Sequence, residues 1–204
     1  MKTKIVDWSE VDESKIQLEI GGQHNIENAK TAIAVAKLLG ISEDQACEAL
    51  KSFKGTWRRT EYKGEKNGVV FYDDYGHHPT EIKAALNTLR EKFPDKKLVV
   101  AFQPHLYSRT KAFFNDFAQT LAIAGQVLIA PIYAAREAKD TTVSAQFLAD
   151  KINQSSANKA TAFNDLDFSD LTSYAQSNLS AGDLFLTIGA GDIYKVGETI
   201  LLNN

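Results

Sequence analysis

A doubly wound α/β fold with a mostly parallel sheet is what residues 55–204 predict, and three observations predict it. Short, almost wholly apolar stretches such as "GVVFYD", "KKLVVAFQP" and "DLFLTIGAG" read as strands buried on both faces. Segments with apolar residues at helical spacing alternate with them, which specifies parallel strands joined by helical crossovers. The chemically loaded segments "DDYGHHP", "QPHLYSRT", "PIYAARE" and "GAGDI" each follow a strand. Ligands on such sheets bind outside the carboxyl ends of the strands, so these four loops are expected to share one edge.

Taken in order, residues 1–54 read differently from the rest. "SKIQLEI" alternates like a strand, and "GGQHNIENAKTAIAVAKLLG" is a glycine turn followed by a helix ending at Gly40, with Asn25 as its N-cap. "SEDQACEALKSF" is a second helix capped by Ser42. One strand and two helices do not enclose a core of their own, so residues 1–54 are expected to be the tail of a preceding domain. "KGTWRRTEYKGEKNG" is the junction and a hairpin. Pro79 opens a helix carrying Ile82, Leu86, Leu89 and Phe93 on one face. "RTKAFFNDFAQTLAIAG" is a helix with Phe113, Phe114, Phe117 and Leu121 along its stripe. "QVLIAPIY", "TVSAQFLADKINQ", "KATAF", "DLTSYAQSNL", "DLFLTIGAG" and "DIYKVGETILL" continue strand, helix, strand, helix, strand, helix.

Composition narrows the function classes. A net charge of −3 over 204 residues argues against a nucleic-acid surface or an anionic membrane as the main partner, since both call for a basic excess. A single cysteine, Cys47, excludes an internal disulfide and suits a reducing compartment. No apolar run approaches the ~20 residues of a membrane span, and "MKTKIVDWSEVDESK" has no signal-peptide core. The expectation is a soluble, cytoplasmic protein.

The loaded residues admit more than one reading. Asp73, Asp74, Tyr75, His77 and His78 crowd the approach to Pro79. The imidazoles suit caps for free helix N–H groups, a substrate site beside a helix N-terminus that attracts carboxylate or phosphate, or, with His105, a metal set. The zinc reading lacks the H-x-x-x-H spacing that puts two imidazoles on one helix face. His105 and Arg109 lie on the neighbouring loop, where a guanidinium can grip a carboxylate by two parallel hydrogen bonds. Arg58 and Arg59 read either as exposed hairpin residues or as part of a site. Asn28, one turn into its helix, is left unexplained by capping and can read a base edge. No G-x-x-x-x-G-K-[ST] segment occurs in the chain.

The order of "GQHNIENAKTAIAVAKLLGI", "FKGTWRRTEY", "DDYGHHPTEI", "AFQPHLYSRT", "IYAARE" and "LTIGAGDI" resembles the Mur ligases of peptidoglycan synthesis, from about Ile16 to the C-terminus. "DDYGHHPTE" and the "QPH" loop are specific to the alanine-adding branch. The resemblance implies the end of a central ATP-binding domain (1–54) and a complete Rossmann-like C-terminal domain (55–204). It implies an ATP- and Mg²⁺-dependent ligase that joins L-alanine to UDP-N-acetylmuramate through an acyl phosphate. By the same resemblance Asn25, Asn28, Arg59 and Asp74 meet ATP, and Tyr75, His77, His105 and Arg109 line the amino-acid pocket. Where the family carries arginine after the histidine of "QPH", this chain has Leu106, which leaves Arg109 a larger share of the carboxylate. The phosphate loop, the Mg²⁺ ligands and the sugar-nucleotide domain are not among these residues, so the 204 residues alone are expected to be silent. The rival readings are a muropeptide-recycling ligase of the same superfamily, a non-catalytic binding module and a zinc hydrolase.

Overall fold

The computed structural model describes residues 6–155 and 159–203. The chain divides into two compact units, Met1–Gly55 and Thr56–Asn204.

In the first unit, Asp12 caps a short 3-10 turn at Glu13–Lys15. Helices α1 (Gln23–Leu38) and α2 (Glu43–Leu50) follow, and Ser42 and Gln45 close a reciprocal capping box at the start of α2. Two expectations fail here. "SKIQLEI" is not a strand: among the described residues no neighbouring strand offers its backbone partners. Instead Ile16 is buried and Leu18 packs beside it, in a small apolar cluster with Val11, Ala29, Ile33, Ala34, Ala46 and Cys47. The segment is thus tied down by side-chain burial, and the unit gathers a small core of its own. Asn25 is not the N-cap either. Gly22 is, with φ of +102°, because the helix begins three residues earlier. The Asn25 amide donates back to the Gly21 carbonyl at 2.7 Å.

The second unit is a six-stranded sheet in the order β1-β2-β6-β3-β4-β5. Strands β1 (Glu61–Lys66) and β2 (Val69–Asp74) form an antiparallel hairpin over Asn67 and Gly68, both with positive φ, as a two-residue turn demands. The remaining pairings are parallel: β2 and β3 (Leu98–Phe102) flank β6 (Leu184–Ile188), and β4 (Gln126–Ile129) and β5 (Ala160–Ala162) extend the sheet. Helices α3 (Pro79–Lys92), α5 (Phe114–Leu121) and α6 (Ala145–Ser155) cover one face. Val70, Tyr72, Val100, Phe102 and Leu186 point to it from the strands. Helices α7 (Ser169–Asn178) and α8 (Tyr194–Leu202) cover the other, over Val69, Phe71, Val99, Ala101 and Phe185. Alternate residues of the same strands therefore feed two separate cores, which is why the strands read as unbroken apolar runs.

The "RTKAFF…" helix is split at Phe113 into α4 (Tyr107–Ala112) and α5. The hydrogen bonds Phe113 N–H to Arg109 and Phe117 N–H to Phe113 survive, so the break is a kink, and it sets the Phe113 ring edge-on against His78 at 4.6 Å. The loops after β2 and β3 leave toward the α3 face, whereas the loop after β6 leaves toward α8. Neighbouring strands thus part to opposite faces at their carboxyl ends, the switch point at which sheets of this kind bind ligands.

Candidate functional site

Backbone bonds beyond the strands draw the loops of this edge together. Tyr75 N–H donates to the Arg58 carbonyl at 2.7 Å and Gly189 N–H to Asp74 at 3.0 Å. Leu106 N–H donates to Tyr133 and Tyr133 N–H to Pro104, each at 2.8 Å. Ser108 and Glu137 join the same two loops, the Glu137 carboxylate accepting from both the Ser108 N–H and hydroxyl.

On this scaffold four of the expected residues form one continuous group. The rings of Tyr75 and His77 lie 5.7 Å apart and those of His77 and His105 6.1 Å apart. Arg109 Nη1 sits 3.3 Å from His105 Nδ1. Tyr133, which sequence reasoning placed in a relevant loop without singling it out, stacks on His105 at 5.3 Å. Arg59 is exposed, 6.0 Å from the Tyr75 ring and 3.9 Å from a Glu81 oxygen. Asn25 and Asn28 belong to the other unit, on the first two turns of α1, with Asn28 exposed.

The geometry fixes proton positions. A guanidinium only donates, so His105 Nδ1 accepts from Arg109 and the proton of the neutral ring is on Nε2. His77 Nδ1 is 3.2 Å from the Tyr75 carbonyl oxygen, which only accepts, so Nδ1 carries a proton, and in the neutral form of the ring Nε2 is the acceptor. The pair thus offers one donor and one acceptor side by side. Burial, then the charges of Arg109 and His77, hold His105 below the ordinary histidine range. In an NMR titration His105 is expected to lose its proton at a lower pH than an exposed histidine, and Arg109→Gln is expected to move that midpoint up. Between the folded midpoint and the ordinary ~6.5 the unfolded chain binds more protons, so this group's contribution to stability falls as pH drops through that window and is flat below it. A midpoint unmoved by Arg109→Gln would show that the two side chains do not interact.

The N-terminus of α3 is not open to a ligand anion. His78 caps it through Nδ1, and Glu81 accepts from the His77 and His78 N–H groups at 3.0 and 3.1 Å. Burial alone would raise Glu81, but these N–H groups and the His77 and Arg59 side chains outweigh it and hold the carboxyl low. The capping reading of His78 is therefore correct, and the anion-site reading of this helix end is corrected: the protein's own carboxylate fills it. Arg109, by contrast, makes no salt bridge among the described residues. It is half-buried on α4, close enough to Glu137 to add to the lowering of that carboxyl by Ser108, but its guanidinium is not ion-paired with any described carboxylate.

Two residues depart from the sequence reading most. Arg58 is buried, not on an exposed hairpin: its guanidinium donates to Asp73 at 2.7 Å and to the carbonyls of Gly191 and Gly189 at 2.8 and 2.7 Å. Asp74 is 5% exposed, with Oδ2 taken by the Thr60 N–H and hydroxyl and Oδ1 by the Gly76 N–H. Three of its about four acceptor positions are thus used within the protein. Burial pushes both Asp73 and Asp74 up, opposed at Asp73 by Arg58 and Thr187 and at Asp74 by Gly76 and Thr60. Among the described residues no three His, Cys, Asp or Glu side chains gather as a metal set.

The fold is thus a mostly parallel sheet whose carboxyl edge carries an arginine with no ion pair among the described residues, two imidazoles and two clamped carboxylates. Residues 58–191 match the family described as "Mur ligase, glutamate ligase domain", and the chain belongs to that family. It is 46% identical over 186 residues to a UDP-N-acetylmuramate–L-alanine ligase of Clostridium acetobutylicum, covering 91% of this chain and 40% of that protein. A ligase of the same name from Lawsonia intracellularis is 47% identical over 181 residues, 88% of this chain and 39% of its own. The crystal structure of UDP-N-acetylmuramate-alanine ligase from Thermotoga maritima superimposes with a TM-score of 0.73 at 29% identity, covering 91% of this chain and 39% of that one. A murein peptide ligase from Psychrobacter arcticus gives 0.65 at 25% identity, covering 91% and 38%. The chain therefore spans about 40% of the length of the curated relatives it matches. Among the described residues no helix is long and apolar enough to cross a membrane.

Proposed function

We propose that this chain supplies the amino-acid side and part of the nucleotide side of an ATP-dependent ligase that joins L-alanine to UDP-N-acetylmuramate. The observation that carries the reading is the half-buried Arg109, without a salt-bridge partner, at the end of the Tyr75–His77–His105 group. Arg109 grips the alanine carboxylate, and the Nε2–H of His105 is a further donor beside it. His77 Nε2 takes a proton from the alanine ammonium, which frees the amine to attack. The amine then attacks the carbonyl carbon of an acyl phosphate. The C–N bond forms, the C–O bond to phosphate breaks, and phosphate leaves, taking up the second proton that the nitrogen sheds as it becomes an amide. Arg59 meets the ATP phosphates, with Asp74 offering its one remaining acceptor to the nucleotide. Residues 1–54 are the end of the ATP-binding domain, with Asn28 facing the adenine and Asn25 near it. Magnesium serves the phosphoryl step in such ligases. Both candidate carboxylates here, Asp73 and Asp74, are engaged by protein donors, so its ligands belong to other residues.

The test is ATP-dependent phosphate release by the protein as its gene encodes it, with UDP-N-acetylmuramate and either L-alanine or a preformed tripeptide. Release with L-alanine and not with tripeptide is expected. The reverse would make it a muropeptide-recycling ligase. The 204 residues alone, without a phosphate loop, are expected to release none.

A further inference from the structure

The consecutive carboxylates Asp73 and Asp74 grip the two neighbours of a single residue, Arg59. Arg58 and Thr60 both adopt the left-handed region, with φ of +55° and +44°. That conformation is uncommon for any residue but glycine and an outlier for β-branched threonine, so the surroundings must hold it. They do. Asp73 Oδ2 accepts from Arg58 Nε at 2.7 Å, while Thr187 Oγ1, 2.6 Å from Asp73 Oδ1, fixes the carboxylate. Asp74 Oδ2 accepts from the Thr60 N–H at 2.7 Å and its hydroxyl at 3.0 Å. The Arg58 N–H is held by Glu61 at 2.8 Å, and its carbonyl by Tyr75 N–H. Between these two anchored residues the Arg59 side chain is 53% exposed and leans over the Tyr75 ring.

We propose that Arg58 and Thr60 are positioning residues: two adjacent carboxylates hold the strained segment at both ends so that Arg59 is offered in one fixed orientation to the polyphosphate of a nucleotide. This rests on the reading that Arg59 meets ATP. It accounts for two acids side by side at the end of β2, each clamping a different residue, and it assigns a purpose to backbone strain that the fold of the sheet does not require.

The experiment measures ATP and L-alanine kinetics of the whole protein carrying Thr60→Gly, Thr60→Ser or Arg59→Ala. Glycine tolerates the left-handed conformation, so Thr60→Gly removes both strain and hydroxyl without threatening the fold. A purely structural role for Thr60 predicts unchanged kinetics and equal or higher melting temperature. Positioning predicts a KM for ATP raised about tenfold in Thr60→Gly, an unchanged KM for L-alanine, and recovery in Thr60→Ser, which keeps the hydroxyl. If Arg59→Ala raises the KM for ATP but Thr60→Gly does not, or serine fails to restore what glycine loses, the positioning proposal is overturned. If Arg59→Ala itself leaves the KM for ATP unchanged, the nucleotide reading of Arg59 falls and the proposal with it, and that outcome is distinct from the first.

Discussion

Arg109→Ala in the whole protein is expected to raise the KM for L-alanine about ten- to a hundredfold and to leave the KM for ATP near its starting value. The size follows from losing charge-assisted hydrogen bonds to a carboxylate, and the selectivity from position: Arg109 sits beside His105, on the loop after β3, whereas Arg59 lies by β2. No neighbouring charge on that loop can take over. Leu106, with φ of +72°, lends its N–H to Tyr133 and brings no charge, and Lys111 is paired with Asp140 at 3.0 Å. Arg109→Lys is expected to recover only part of the loss, because an ammonium cannot reproduce two parallel bonds. Melting temperature should hardly move, since the guanidinium's hydrogen bond within the protein is to His105 and α4 is held independently by Thr110, whose hydroxyl donates to the Leu106 carbonyl. An L-alanine KM unchanged by Arg109→Ala would remove the amino-acid assignment of this pocket.

Much of this edge was legible in the sequence, for a physical reason. Strands buried on both faces have no polar positions, so the first polar residues after "VVFY" or "LVVAF" mark the carboxyl end, and the sheet itself brings such ends together. His77, His105 and Arg109 could be grouped without knowing a single contact. What the sequence hid depends on partners distant along the chain. "WRRTEY" alternates like an exposed hairpin strand, and nothing local reveals that Arg58 turns inward to carbonyls 131 and 133 residues away. "SKIQLEI" carries the strand period, but a period creates a strand only where another strand stands beside it. Asn25 is a good capping residue placed one turn too late, because Gly22, with its freedom at positive φ, starts the helix first. Local pattern thus found the elements and the rim, while the buried polar contacts, which obey no period, had to be seen.

Removing either half of the Arg58–Asp73 pair is expected to lower the melting temperature of the second unit by about 6–20 °C. Both side chains are almost fully out of water, at 3% and 1% exposure. Taking away one partner strands a charge where no solvent reaches it, which costs about 3–5 kcal/mol, and a unit of this size loses about 2–4 °C per kcal/mol. Arg58→Met leaves Asp73 with Thr187 alone and strips donors from the Gly189 and Gly191 carbonyls; Asp73→Asn leaves a buried guanidinium facing a neutral amide. Arg58→Lys is not a rescue, because the guanidinium also lies 4.6, 5.1 and 5.7 Å from the rings of Tyr194, Tyr75 and Trp57, a flat cation among three aromatic faces. The double variant is expected to lose less than the sum of the singles, since the second substitution removes a charge the first has already stranded. Thermal melts of the four proteins read this directly. Single variants that melt within about 2 °C of the parent would mean that water enters when the pair is broken, and the rim would then be a softer structure than the one these contacts describe.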